Sequence, residues 1–200
     1  MCIRDRYYYK QYNRMKTREH ELNHQIKLTK ENIDYFDNIE QQLNHITVND
    51  IDDIREELAE QGFMKQRKAN KKKKHSQIQL QTYQSSDGDT ILVGKNNKQN
   101  DYLTNKKAHK NHIWFHTKDI PGSHVVILNH SPSDKAIKEA AMVAGYFSKA
   151  GNSGQIPVDY TEIRHVHKPS GAKPGFVTYD NQKTLYVTPD YDKIQQMKES

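Results

Sequence analysis

The sequence predicts an α+β fold in which a long coiled-coil helix precedes a mixed, largely antiparallel sheet with packed helices. Three observations carry this expectation. Apolar residues recur every seven positions between residues 8 and 43, with no proline or glycine among them. Short alternating segments bounded by turn residues occupy the chain from position 77 onward. One broad apolar helical face then lies between Ser133 and Gly151.

Taken in order, Tyr8, Met15, Leu22, Thr29, Phe36 and Leu43 form one heptad series, and Tyr12, Glu19, Ile26, Ile33 and Glu40 interleave with it at four-three spacing. A helix over residues 7–46 would be about 60 Å long at about 1.5 Å per residue, and its stripe calls for a partner helix. Glu19, Thr29 and Glu40 read either as heptad imperfections or as contacts with something other than a helix. Residues 1–6 fit neither the heptad series nor the alternating segments and are expected to be a non-native leader. A second helix is expected from Asn49 or Asp50 through Ile51, Ile54, Leu58 and Ala59, with Gly62 as its stop, which makes 7–62 the arm segment. Residues 63–76 form a basic linker. In it Lys71 to Lys74 read equally as a solvated tract or as part of a nucleic-acid footprint.

The folded domain is expected over 77–200. Residues 77–83 alternate as a half-buried strand, Asp87-Gly88 turns the chain, and 90–93 return it. A short helix over 98–110 turns Tyr102, Leu103 and Ala108 inward and leads to strands at 113–116 and 124–128. Ser133 caps the helix that carries Ile137, Ala140, Ala141, Val143, Ala144 and Phe147. Strands near 158–167, 176–179 and 184–187 and a helix after Pro189 complete the domain.

Charge and composition restrict the function. A formal charge of +6 over 200 residues is unevenly placed: residues 64–118 hold Lys65, Arg67, Lys68, Lys71 to Lys74, Lys95, Lys98, Lys106, Lys107, Lys110 and Lys118 against few acids, which favours a polyanionic partner. Cys2 is the one cysteine, so neither an intrachain disulfide nor a cysteine-based zinc site can form, and a reducing cytoplasm is the expected setting. No apolar run approaches the roughly 20 residues of a membrane helix, and no signal-peptide core is present. The histidines show no HExxH-type spacing, and neither a P-loop nor a GxSxG motif occurs. The expectation is a protein without catalytic residues, metal or cofactor.

Three stretches concentrate polar chemistry. In the first, 87–103, Lys95, Asn96, Asn97, Lys98 and Asn100 come after a short apolar strand, and amides and lysines so placed suit phosphate, sugar and base contacts. In the second, 114–124, the amides of Gly122 and Ser123 can face an anion, His116, Lys118 and His124 supply donors, and Asp119 can accept from a ribose hydroxyl. Alternatively, Asp119 and Ser123 only close the turn. Of the adjacent Trp114 and Phe115, one is expected in the core and the other is available to stack on a base. In the third, 168–177, Lys168 and Lys173 share a loop stiffened by Pro169 and Pro174 that suits probing of an RNA backbone or groove.

Together these stretches resemble the NFACT-R domain, the RNA-binding domain of the NFACT family of RqcH/NEMF-type ribosome quality-control proteins. The resemblance spans about residues 77–197, and the preceding helix is similar to the family's coiled-coil arm. It implies a noncatalytic module that binds tRNA, alanyl-tRNA in bacteria, and the obstructed large ribosomal subunit with its rRNA. The implied outcome is untemplated C-terminal alanine tailing of stalled nascent chains, with peptide transfer left to the ribosome. It implies further that the arm's second helix lies in the N-terminal part of the same protein, so this chain is expected to be a C-terminal fragment. The alternative is a fibronectin-binding surface adhesin, a description also given to members of this family.

Overall fold

The computed structural model describes residues 3–65 and 78–198, and the chain divides into two units that meet in sequence between Asp37 and Asn38. Lys71 to Lys74 lie outside the described residues. The first unit consists of most of helix α1 (Ile3–Leu43). The helix starts at Ile3, so the residues expected as a leader continue the same helix from position 3, and it ends at Leu43, short of the expected 46. Tyr8, Tyr12, Met15, Leu22, Ile26, Ile33 and Phe36 of the seam are between 42 and 65 % exposed. Thr29, a polar member of that seam, bonds back to the Gln25 carbonyl at 2.8 Å and is satisfied within its own helix.

In the second unit, α2 (Val48–Glu60) is capped by Thr47 rather than by Asn49 or Asp50. Asp50 instead serves at the third helical position, where its carboxylate accepts from the Thr47 backbone N–H at 2.9 Å and from its hydroxyl at 2.7 Å. Gly62 ends the helix at φ +80°, a left-handed conformation that glycine adopts without strain.

The sheet arises from the alternating segments. Its strands are β1 (Gln81–Gln84), β2 (Thr90–Val93), β3 (Ile113–Thr117), β4 (Val125–Ile127), β5 (Ile156–Glu162) and, after a small ribbon of β6 (Val166–His167) and β7 (Thr178–Tyr179), β8 (Lys183–Val187). The order is β1-β2-β4-β3-β5-β8, and each neighbouring pair is antiparallel. Between β2 and β3 lie α3 (Asn97–Tyr102) and a π-helical turn over Leu103–Lys107; α4 (Asp134–Tyr146) and α5 (Tyr191–Met197) complete the unit.

Both faces of the sheet are covered. Successive strand residues point to opposite faces, so Trp114 and Phe115 enter different cores, and both are fully buried. Phe115 joins Ile91, Val93, Val125 and Ile127 against Ala140, Val143 and Ala144 of α4, Phe147 just beyond its end, and Ile194 of α5. Trp114 joins Leu92 and Val126 under Leu103, Ile163 and Val166, with Val177 and Tyr179 packed against them. This corrects the expectation that one of the two aromatics is free to stack on a base. Ser133 caps α4 as expected, accepting from the Ala136 N–H at 3.1 Å. Within that apolar face Glu139 is 1 % exposed, held by the Ser86 N–H at 2.8 Å and by Lys193 of α5 at 3.0 Å.

Candidate RNA-binding surface

The three polar stretches converge in space, but most of their side chains face inward. Asn96 is extended and caps α3, its Oδ1 accepting from the Gln99 N–H at 2.8 Å. Gln99 returns to the Lys95 N–H at 2.9 Å and donates to Asp50 at 2.8 Å. Lys95 Nζ lies 3.1 Å from Asp50 Oδ2, and both side chains are only 11 % exposed. Asn97 donates to Glu57 and accepts from Gln42, each at 2.8 Å. Lys98 is partly exposed and paired with Glu56, with Asp53 at 3.9 Å. Partial burial pulls its ammonium toward a lower pKa, but these carboxylates and Glu60 more than offset this and hold it above its ordinary range.

Asn100 Oδ1 accepts from the His124 N–H at 3.1 Å and joins the first stretch to the second. A Cβ on Gly94 would lie 2.3 Å from that same oxygen, so this approach requires glycine. Asp101 joins the third stretch, binding the Lys168 ammonium and accepting from the Gly175 N–H at 3.2 Å. The His124 ring is buried between Thr104 Oγ1, 2.8 Å from Nδ1, and the Gly175 carbonyl. Burial, then the neighbouring His116 and Lys168, hold its pKa well below the usual imidazole range. His116 is also held low by burial, against the opposing effect of the Thr117 and Gly122 carbonyls. Both rings are therefore neutral near pH 7. A further buried group centres on Asp159, which accepts from Thr184 at 2.6 Å and from Tyr179 at 3.0 Å.

Of the residues expected to contact RNA, Lys95, Asn96, Asn97, Asn100, Gly122, Ser123 and His124 are buried. The expected anion nest is not formed: the Ser123 N–H donates to the Phe147 carbonyl at 3.0 Å, and Gly122 sits where a Cβ would meet Thr117 Oγ1 at 2.7 Å. His116 is partly buried and faces the backbone carbonyls of Thr117 and Gly122. Lys118 and Asp119 do lie exposed on the outside of the turn, with Asp119 at φ +53°. Thr117 closes that turn by donating to the Ile120 carbonyl at 2.9 Å. The 168–175 loop is docked rather than projecting: Lys168 holds Asp101, and Lys173 stands 5.6 Å from the centre of the Phe63 ring.

Lys106, Lys107 and Lys110 also face outward, beside the exposed His109. They belong to the basic stretch but were not among the expected contact residues. The signal was present as three lysines and two histidines, with no acid, over residues 105–112. Among the described residues no three His, Cys, Asp or Glu side chains group as a metal site, and no helix is long and apolar enough to cross a membrane.

Comparison with known proteins agrees with this layout. Residues 79–181, just over half of the chain, match the NFACT protein RNA binding domain. The chain belongs to the NFACT family. Residues 6–77 match the NFACT N-terminal and middle domains. It is 53 % identical over 195 residues to the Rqc2 homolog RqcH of Bacillus subtilis, covering 96 % of this chain and 34 % of that protein. It is 49 % identical over 193 residues to the Rqc2 homolog RqcH of Streptococcus suis, covering 96 % of this chain and 35 % of that protein. The chain therefore spans about a third of the length of these curated relatives. Its fold matches the solved C-terminal part of the fibronectin/fibrinogen-binding protein from Streptococcus suis, with a TM-score of 0.89 and 48 % identity over 97 % of this chain and 78 % of that one.

Proposed function

We propose that this NFACT chain is the RNA-binding and arm segment of an RqcH-type ribosome quality-control factor. In this reading it holds tRNA, alanyl-tRNA in particular, on a large ribosomal subunit blocked by peptidyl-tRNA and so supports untemplated alanine tailing. The observation that carries the reading is the match of residues 79–181 to the family's RNA binding domain. Exposed lysines at the end of the π-helical turn support it chemically. His116, His124 and Asp159 make internal hydrogen bonds, which supports a noncatalytic role in which the ribosome performs peptide transfer. The exposed heptad seam of α1 suits a helix from the N-terminal part of the same protein, and the cytoplasm is the compartment of this activity.

The test is competition binding with the full chain. Transfer RNA and large-subunit rRNA should compete better than duplex DNA, with strong salt dependence; equal, salt-insensitive affinity for all three would refute the reading. A second reading, a fibronectin-binding adhesin, is favoured by the description of the Streptococcus suis structural relative. Saturable capture on immobilised fibronectin at physiological salt, without RNA binding, would support that alternative.

A further inference from the structure

The π-helical turn fixes which side chains around residue 105 face outward. Leu103 and Thr104 are buried, Leu103 in the core beneath Trp114 and Thr104 on the His124 ring. The Ala108 N–H reaches five residues back to the Leu103 carbonyl at 2.9 Å and closes the wide turn. With its first two residues anchored, the turn sends Asn105, Lys106 and Lys107 to the surface. The segment beyond is also fixed. The Arg164 N–H donates to the Lys110 carbonyl at 3.0 Å, the Ile163 N–H donates to the His112 carbonyl at 2.9 Å, and the Arg164 guanidinium holds Asn111 at 2.7 Å.

Three ammonium groups within five residues are thus held on a rigid support, and none has an acidic partner among the described residues. Glu162, at the end of the strand that bonds to this segment, is paired with Arg164 at 2.6 Å. Burial, then the neighbouring His109 and His130, lower the pKa of His112, as expected where the local potential is positive. Lysines in a last helical turn also complement the helix dipole. That role is worth about 0.3–1 kcal/mol and extends only over the last turn, so it does not account for Lys110.

We propose that Lys106, Lys107 and Lys110 are the surface on which this domain takes the sugar–phosphate backbone of structured RNA, with Arg164 as a positioning residue. The proposal rests on the RNA-binding reading above and moves its contacts away from the buried amides to this shoulder. Three lysine–phosphate contacts, at a slope of about 0.9 per contact on a duplex, would make binding about 40-fold more salt-sensitive over a fourfold rise in salt.

The experiment titrates a fluorescently labelled RNA stem-loop with the full chain across that salt range. It compares the natural protein with the triple variant Lys106→Ala, Lys107→Ala, Lys110→Ala, with the corresponding glutamine triple that keeps more of each stem, and with Lys135→Ala, Lys138→Ala on the exposed side of α4. Both shoulder triples should lose affinity at low salt and lose the steep salt dependence, with unchanged circular dichroism, while the α4 pair binds normally. If the triples bind with the natural affinity and slope, the shoulder is not the contact surface, although the RNA-binding reading stands. If the natural protein does not bind the stem-loop at all, both fall. If polyglutamate displaces the RNA at equal charge concentration, the shoulder recognises acidity alone and the proposal is overturned.

Discussion

Replacing Lys95 with methionine separates an internal role from an RNA contact. The ammonium lies 3.1 Å from Asp50, and both side chains are nine-tenths buried. At an effective dielectric of about 20 the gross attraction is about 5 kcal/mol, and removing one member of a buried pair costs about 3–5 kcal/mol. Asp50 retains its bonds from Thr47 and Gln99, so Lys95→Met should cost less, about 2–3 kcal/mol. Asp50→Ala also loses the capping box and leaves Lys95 without its counter-ion, so it should cost about 4 kcal/mol, with a coupling energy of about 1–3 kcal/mol in the double-mutant cycle. Urea unfolding measures the stabilities, and RNA titration in the absence of urea measures binding by the folded protein. The expected result is a large loss of stability with RNA affinity within a factor of two. If stability is unchanged while affinity drops tenfold, the lysine reaches RNA and the buried-pair argument is wrong.

Three further outcomes are expected. Because the His124 pKa is well below that of an unfolded imidazole, the unfolded chain takes up the proton first, so stability should fall as pH drops below about 6.5, by up to about 1.4 kcal/mol per pH unit; urea midpoints between pH 8 and 5 check this, and a flat profile in that window contradicts it. Gly175→Ala places a Cβ 2.2 Å from Asn97 Oδ1 at φ +78°, so it should destabilise the domain by at least the roughly 1–2 kcal/mol of the left-handed conformation, read as a lowered unfolding midpoint. The exposed seam of α1 should drive concentration-dependent association in sedimentation, and Leu22→Lys with Ile26→Lys should abolish it; a strictly monomeric natural chain at all concentrations would rule this out.

Periodicity made the skeleton legible. The heptads gave α1, alternation gave the strands, and the apolar face behind Ser133 gave α4, because each pattern is local. The candidate site was harder to read because an asparagine looks the same in sequence whether it meets water or a buried carboxylate. Asn97 and Lys95 find Glu57 and Asp50 forty and forty-five residues away, and no local pattern announces such partners. Trp114 and Phe115 are both buried because a second layer covers the sheet, and that layer is built from scattered residues such as Leu103, Ile163 and Val166. Glu139 escaped notice in the same way, as one acid on an otherwise apolar face whose partners Ser86 and Lys193 come from either side of the chain. The acid-free run at 105–112 was readable, but amide-rich motifs drew the assignment elsewhere.

The grip of Asp101 on Lys168 and Gly175 also sets a timetable. These bonds span 67 and 74 residues, so the cover over Trp114 cannot close until most of the domain has left the exit tunnel. At about 5–20 residues per second, the 61 residues from Trp114 to Gly175 take roughly 3–12 s, during which Trp114, Leu92 and Val126 have only part of their cover. Translation halted in that interval would leave a half-covered sheet open to aggregation and to chaperones.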